Sequence, residues 1–177
     1  IWSIRLPTAI MALLVGASLG IAGAGMQTIL DNPLSSPYTL GISAGAGFGA
    51  SLMVVVGASA LEFLGVFMVP FGAFVFASLT SFFIYSINKI KNFSSETMIL
   101  AGIGMMFLVQ ALQSLMQYMA SPEALQNIVF WTMGSLAKAN WINISIVLLV
   151  LVIMLPLMMR ESWRLTALKL GDEKASG

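Results

Sequence analysis

Two residue types are absent: the 177 residues include no cysteine and no histidine. The first absence excludes disulfides and thiolate-held metals, although it leaves the redox compartment unread. The second removes imidazole, the usual general base for a serine nucleophile and the commonest metal ligand. Charge is scarce as well, at 8% of residues against about 25% in an ordinary soluble domain. With eight basic and seven acidic side chains the net charge is +1, and the basic residues form no stripe that would suit nucleic acid.

What fills the space is apolar. Hydrophobic residues make up 59% of the chain, and the charges are segregated so that residues 6–30, 32–61, 63–88, 97–122 and 139–159 are uncharged. A helix needs about 20 apolar residues to cross a bilayer, and each of these runs is long enough. A soluble domain of this length would lack the polar side chains to cover its surface, and a signal peptide accounts for one such run, not five. The expected fold is therefore all-α: one polytopic transmembrane domain over 1–177 with five spans, near 6–30, 38–58, 65–88, 97–120 and 142–160.

The bias of Lys and Arg sets an expected orientation. Five spans put Arg5 and Lys138 on one side and Lys89, Lys91, Arg160, Arg164, Lys169 and Lys174 on the other. The richer side is expected to be cytoplasmic, so the first residues lie outside and the last inside, in the plasma (inner) membrane.

Between the first two runs stands LDNPLSSPYTLGISAG, residues 30–45. Pro33 lacks an N–H, and Pro33 and Pro37 disfavour helical geometry at Asn32 and Ser36. Asp31, Asn32, Ser35 and Ser36 can cap the freed backbone groups, which at membrane depth would otherwise cost several kcal/mol each. Residue types alone describe a capped cytoplasmic turn. The flanking glycines, Gly16 and Gly20 on one helix and Gly41, Gly45 and Gly49 on the next, have the spacing that lets helix backbones approach closely in lipid.

Several pattern matches carry no chemistry. GISAG at 41–45 has the shape of a nucleophile elbow around Ser43 but lacks its histidine. GAGFG at 45–49 lacks the dinucleotide spacing and a preceding strand. NFS at 92–94 and NIS at 143–145 match the glycosylation pattern at a cytoplasmic position and a membrane boundary. No run offers carboxylates or imidazoles at ligand spacing, so no metal site is expected, and the lack of ionisable groups inside the spans argues against proton coupling. The thirteen methionines read as flexible packing, with Met105, Met106, Met116 and Met119 as candidates to line an apolar pathway.

The segment 121–141 opens with Ser121, Pro122 and Glu123, a helix-start signal, and Gly134 with Ser135 ends it. With Trp131 and Trp141 at interfacial positions it is expected to be a short outer-surface helix near 122–134. The tail 161–177 reads as an amphipathic cytoplasmic segment, on lipid or on a partner.

RLP at 5–7, GAGMQTILDNPLSSPYTLGISAGAGFGA at 23–50, ILAGIG at 99–104, FWTMGSL at 130–136 and ALKLGDEKASG at 167–177 together resemble the permease subunits of type II ABC importers, the iron-siderophore, haem and cobalamin (FecCD-like) family. The match runs in order over nearly the whole chain, and the Gln27-x(4)-Asn-Pro-Leu-x-x-Pro-x-x-Leu-Gly pattern is specific. The resemblance implies about ten membrane helices per permease, of which this chain corresponds to the second through the sixth. It also implies a second permease copy, two cytoplasmic ATPase subunits and an extracytoplasmic binding protein, all in a lipid bilayer. ATP would then sit on the partner subunit, with no cofactor on this chain, which has no phosphate-binding loop.

The same resemblance assigns residue roles. Asn32 and Leu34 would form an inner gate with Ser94, Ser95 and Glu96, although Glu96 stands where relatives commonly carry small hydroxyl residues. Arg5 would dock the binding protein, helped by Lys138 because Thr8 replaces a second Arg. Leu168, Gly171, Asp172, Glu173, Ala175 and Gly177 would begin the coupling helix that enters the ATPase. A secondary transporter, or an assembly protein without a path, are the alternatives from other classes.

Overall fold

The computed structural model describes residues 2–60, 62–90 and 94–169, and side chains over all of these except 57–60, 62–64 and 161–169. Six α-helices account for most of the chain: α1 Arg5–Leu30, α2 Ile42–Ala60, α3 Met68–Ile90, α4 Ser95–Met119, α5 Pro122–Met133 and α6 Trp141–Lys169. Short 3-10 turns cover Glu62–Phe67 and Leu136–Lys138. No strand occurs among the described residues.

Four helical segments are long and apolar enough to cross a membrane: Arg5–Leu30, Gly65–Ile90, Ser95–Met119 and Trp141–Arg160. The apolar stretch of α2, Ile42–Val56, is shorter. Large apolar side chains such as Leu13, Phe74, Phe107 and Leu149 stand exposed along these helices, a surface that only hydrocarbon or more protein can cover.

Two compact units make up the chain, one drawn from residues up to Pro33 and from Ser135 onward, the other from Leu34 to Gly134. In the first, α1 packs on α6 and on the Leu136–Lys138 turn. The start of α1 needs no side-chain cap: Pro7 sits in the first turn, where a missing N–H costs nothing. Thr8 Oγ1 donates to the Ile4 carbonyl at 2.8 Å. The α6 end is fixed by Asn140, whose Oδ1 accepts from the Asn143 N–H at 2.8 Å. Farther along, the Met158 methyl fills the space where a Cβ at Gly25 would sit. Because α6 runs on unbroken to Lys169, the segment 161–169 continues the last span instead of starting a separate helix. Pro156 lies inside it.

The second unit is built around α2, which packs on α3, α4 and α5. The α2–α3 crossing is a backbone contact, since the Gly72 carbonyl occupies the place of a Cβ at Gly49. Around it Phe48 and Phe76 meet edge to face with centroids 5.0 Å apart. Hydroxyls buried here turn back onto their own helices, Ser51 Oγ to the Gly47 carbonyl and Thr80 Oγ1 to the Phe76 carbonyl, both at 2.8 Å. Asn88 near the end of α3 is the exception among the described residues: its Nδ2 donates to Met98 Sδ of α4 at 3.6 Å, and its buried Oδ1 accepts no hydrogen bond.

The second helix, expected from 38, begins at Ile42. Pro37 is only part of the reason. Ser36 and Thr39 bond reciprocally, with the Ser36 N–H donating to Thr39 Oγ1 at 2.8 Å and the Thr39 N–H to Ser36 Oγ at 3.2 Å. Such local side-chain bonds compete with helix formation. Gly41 then turns the chain with φ 73°, and its Cα lies so near α4 that a Cβ would meet the Met106 backbone nitrogen at 2.9 Å.

Candidate functional site

The turn after α1 is organised by Gln27. Its backbone carbonyl accepts from the N–H of Asp31, the left-handed cap residue at φ 46° and ψ 40°, and from the Asn32 N–H at 3.2 Å. Its side-chain Nε2 donates to the Pro33 carbonyl at 2.9 Å. One residue thus closes both the helix end and the first proline turn. Its fixed separation from Asn-Pro-Leu follows, because Gln27 lies one helical turn before the cap. Gln27 was not among the residues singled out from the sequence. The signal was its place in the family pattern, and what it does needed the hydrogen bonds.

Asn32 belongs to the unit of α1 and α6, and Leu34, Ser94, Ser95 and Glu96 to the other. Leu34 is 80% exposed, an unusual position for a leucine held by a well-bonded turn. Ser35 beside it is buried. Ser94 caps α4: its Oγ accepts from the Thr97 N–H at 3.0 Å and donates to Thr97 Oγ1 at 2.9 Å. Ser95 and Glu96 are exposed in the first turn, where a carboxylate is favoured by the helix dipole.

Arg5 and Lys138 are both exposed and come to one end of their unit, because the Leu136–Lys138 turn packs on α1 and the far ends of α1 and α6 meet at Gly25 and Met158. Leu168 is in the last turn of α6, its side chain outside the described ones. Gly171, Asp172, Glu173, Ala175 and Gly177 lie outside the described residues. Of the glycines read as packing positions, Gly41, Gly45 and Gly49 abut α4 or α3, whereas nothing among the described residues lies within 4 Å of a Cβ placed at Gly16 or Gly20.

A feature the sequence reading passed over lies on α4. Gln110, Gln113, Ser114 and Gln117 recur at helical spacing and share one face. Gln113 Nε2 donates to Thr132 Oγ1 of α5 at 3.3 Å, and its Oε1 lies against Gly47 of α2, where a Cβ would come within 2.8 Å. Ser114 Oγ donates to the Gln110 carbonyl at 3.0 Å. The carboxamides of Gln110 and Gln117 have no partner among the described residues. Of the four methionines considered as lining, only Met106 shares this face; Met105, Met116 and Met119 fall on the other side of α4 by the same spacing. The sequence signal is four polar residues three and four apart, which carry no charge and so leave the span reading as apolar.

No group of three or more carboxylate side chains that could hold a metal ion occurs among the described residues. Three carboxamides and one hydroxyl on this face can donate and accept hydrogen bonds without carrying charge.

The FecCD transport family model matches residues 1–177. The chain is 36% identical to the iron(3+)-hydroxamate import system permease protein FhuG of Bacillus subtilis, over 100% of this chain and 54% of that protein. It is also 36% identical to the molybdate import system permease protein MolB of Haemophilus influenzae, over 99% and 51%. A solved metal-chelate type ABC transporter in an inward-facing conformation superposes with a TM-score of 0.83 at 32% identity, covering 99% of this chain and 55% of that one. The chain therefore spans about half the length of the curated relatives it matches.

Proposed function

The chain belongs to the FecCD transport family, and from that premise we propose that it is part of the permease subunit of an ATP-driven importer that moves a metal chelate or corrinoid inward across the plasma membrane. The observation that carries this reading is the α4 face. Three carboxamides and a hydroxyl on one side of an apolar span are expensive in lipid unless they line a path or meet other protein. In this reading they line the path, with Gln113 held in place by Thr132.

The remaining parts follow from the same premise. A second permease copy completes the path, an extracytoplasmic binding protein docks at the end carrying Arg5 and Lys138, and two ATPase subunits bind the cytoplasmic side beyond Arg160. ATP stays on those subunits, and this chain carries no cofactor. Leu34, exposed after the first proline turn, and the Ser94–Ser95–Glu96 helix start are the gate residues on their unit; Asn32 joins the gate on the family resemblance alone.

The test is uptake into vesicles holding the complete transporter. Uptake that needs ATP, the ATPase and the binding protein is expected; uptake driven by an ion gradient alone would replace the reading with a secondary transporter. Within that assay Leu34→Ala is expected to lower net uptake per ATP while folding is unchanged, and normal coupling would return 31–37 to a plain turn.

A further inference from the structure

Family membership leaves the charge of the cargo open, because the relatives are named for an iron-hydroxamate and for molybdate, an oxyanion. The α4 face narrows it. Gln113 is committed to Thr132 and the Ser114 hydroxyl to the Gln110 carbonyl, which leaves the carboxamides of Gln110 and Gln117 to meet a ligand. Seven residues apart on one face, they stand about 10 Å from one another along the helix axis. Each offers two donors and an acceptor oxygen and carries no charge.

The described charged side chains of this unit stand at helix ends, away from that face. Among its described side chains they are Lys89 near the end of α3, Glu96 in the first turn of α4 and Glu123 in the first turn of α5. Residues 97–122 contain none. An anion passing α4 meets no cation among the described side chains of this face, and the first turn of α5 carries a carboxylate, Glu123. A cation finds no carboxylate along the span. For either, the desolvation cost of entering a low-dielectric path goes uncompensated here. A neutral ligand avoids that cost, and amide, hydroxamate or hydroxyl groups on its rim satisfy donors and acceptor together.

We propose that the cargo is an electroneutral chelate whose rim presents amide, hydroxamate or hydroxyl groups, and that Gln110 and Gln117 bind that rim. This rests on the permease reading above.

The test uses the complete permease–ATPase complex in lipid nanodiscs without the binding protein, so that the binding protein's own selectivity does not enter. The probes are a neutral ferric trihydroxamate and a triply anionic ferric tricatecholate, each followed by quenching of tryptophan fluorescence. The neutral chelate is expected to bind at least about tenfold more tightly, a difference that polar pairing in a desolvated site readily supplies. Equal binding, or preference for the anion, overturns the proposal. In the double variant Gln110→Leu, Gln117→Leu the preference is expected to vanish while the complex still copurifies with its ATPase. Unchanged preference overturns the assignment to these residues. A double variant that no longer assembles overturns it too, because the amides are then hydrogen-bonded glue between helices. The permease reading fails on a different result, the absence of ATP-dependent uptake of any chelate by the complete transporter.

Discussion

Gly16 and Gly20 on α1 have the same four-residue spacing as Gly45 and Gly49 on α2. Cβ atoms at Gly45 and Gly49 would collide with Thr80, Phe76 and Gly72 of α3, whereas at Gly16 and Gly20 they would meet nothing within 4 Å among the described residues. The two helices sit in different units, and within its own unit α1 turns another face to its neighbour. Ser18, Ile21, Ala22 and Gly25 share that face and lie toward α6, while Gly16, Gly20 and Gly23 lie on the opposite one by helical spacing. Small-residue spacing therefore describes a flat surface that a backbone can approach. It does not say whether a backbone has done so.

The largest effect is expected from Gly49→Leu. A side chain there must displace the Gly72 carbonyl and the Phe76 side chain, both fixed by the α2–α3 crossing. A cost on the order of 3 kcal/mol is expected, read as a lowered melting temperature and a poor yield of monodisperse permease in detergent. Wild-type melting would mean that α2 and α3 are not held by this crossing, and the contrast with α1 would disappear.

A smaller effect is expected from Gly41→Ala, where two terms add. The left-handed backbone at φ 73° costs an alanine about 1–2 kcal/mol, and the new methyl presses on the Met106 nitrogen and the Gly102 carbonyl of α4. The loss is expected to localise, so hydrogen exchange should rise at 37–45 before it rises in α3. Uniform exchange across the unit would contradict a local role for the turn.

The smallest effect, within about 0.5 kcal/mol, is expected from Gly16→Leu in this chain by itself, as for other substitutions into open surface. The same change in the full-length permease sharpens the comparison. A melting loss as large as that of Gly49→Leu would show that the rest of the protein covers this face, and no loss would assign it to lipid.

The parts of this architecture that depend on neighbours a few residues away were legible in the sequence. Ser121, Pro122 and Glu123 start α5, with Ser121 Oγ accepting the Ala124 N–H at 3.2 Å, and Gly134 at φ 71° ends it. The existence of apolar membrane-length helices was legible for the same reason, since hydrocarbon thickness acts on each segment separately. The start of α2 was not, because the decisive bonds join Ser36 and Thr39 side chains to each other's backbone. Nor was the continuation of α6 past Arg160, since a change from apolar to charged side chains does not by itself interrupt backbone hydrogen bonding. Within the candidate site, the Asn-Pro-Leu turn was visible as a break, but Gln27 acquires its role only through three hydrogen bonds. The carboxamide face of α4 was visible in principle and went unread because it has no charge.

One feature of α6 has a mechanical side. Its 29 residues form a rod about 43 Å long, continuous from the end that carries Lys138 to a point well beyond Arg160. On either side of its proline such a rod carries torque and tilt along its length instead of absorbing them by local melting. Its compliance is concentrated at Pro156, where the ring removes one rung of the hydrogen-bond ladder to Val152 and bending is cheapest. A lateral push at the C-terminal tip is therefore taken up first as bending at Pro156, roughly midway along the helix, while the segment before it keeps its place on α1.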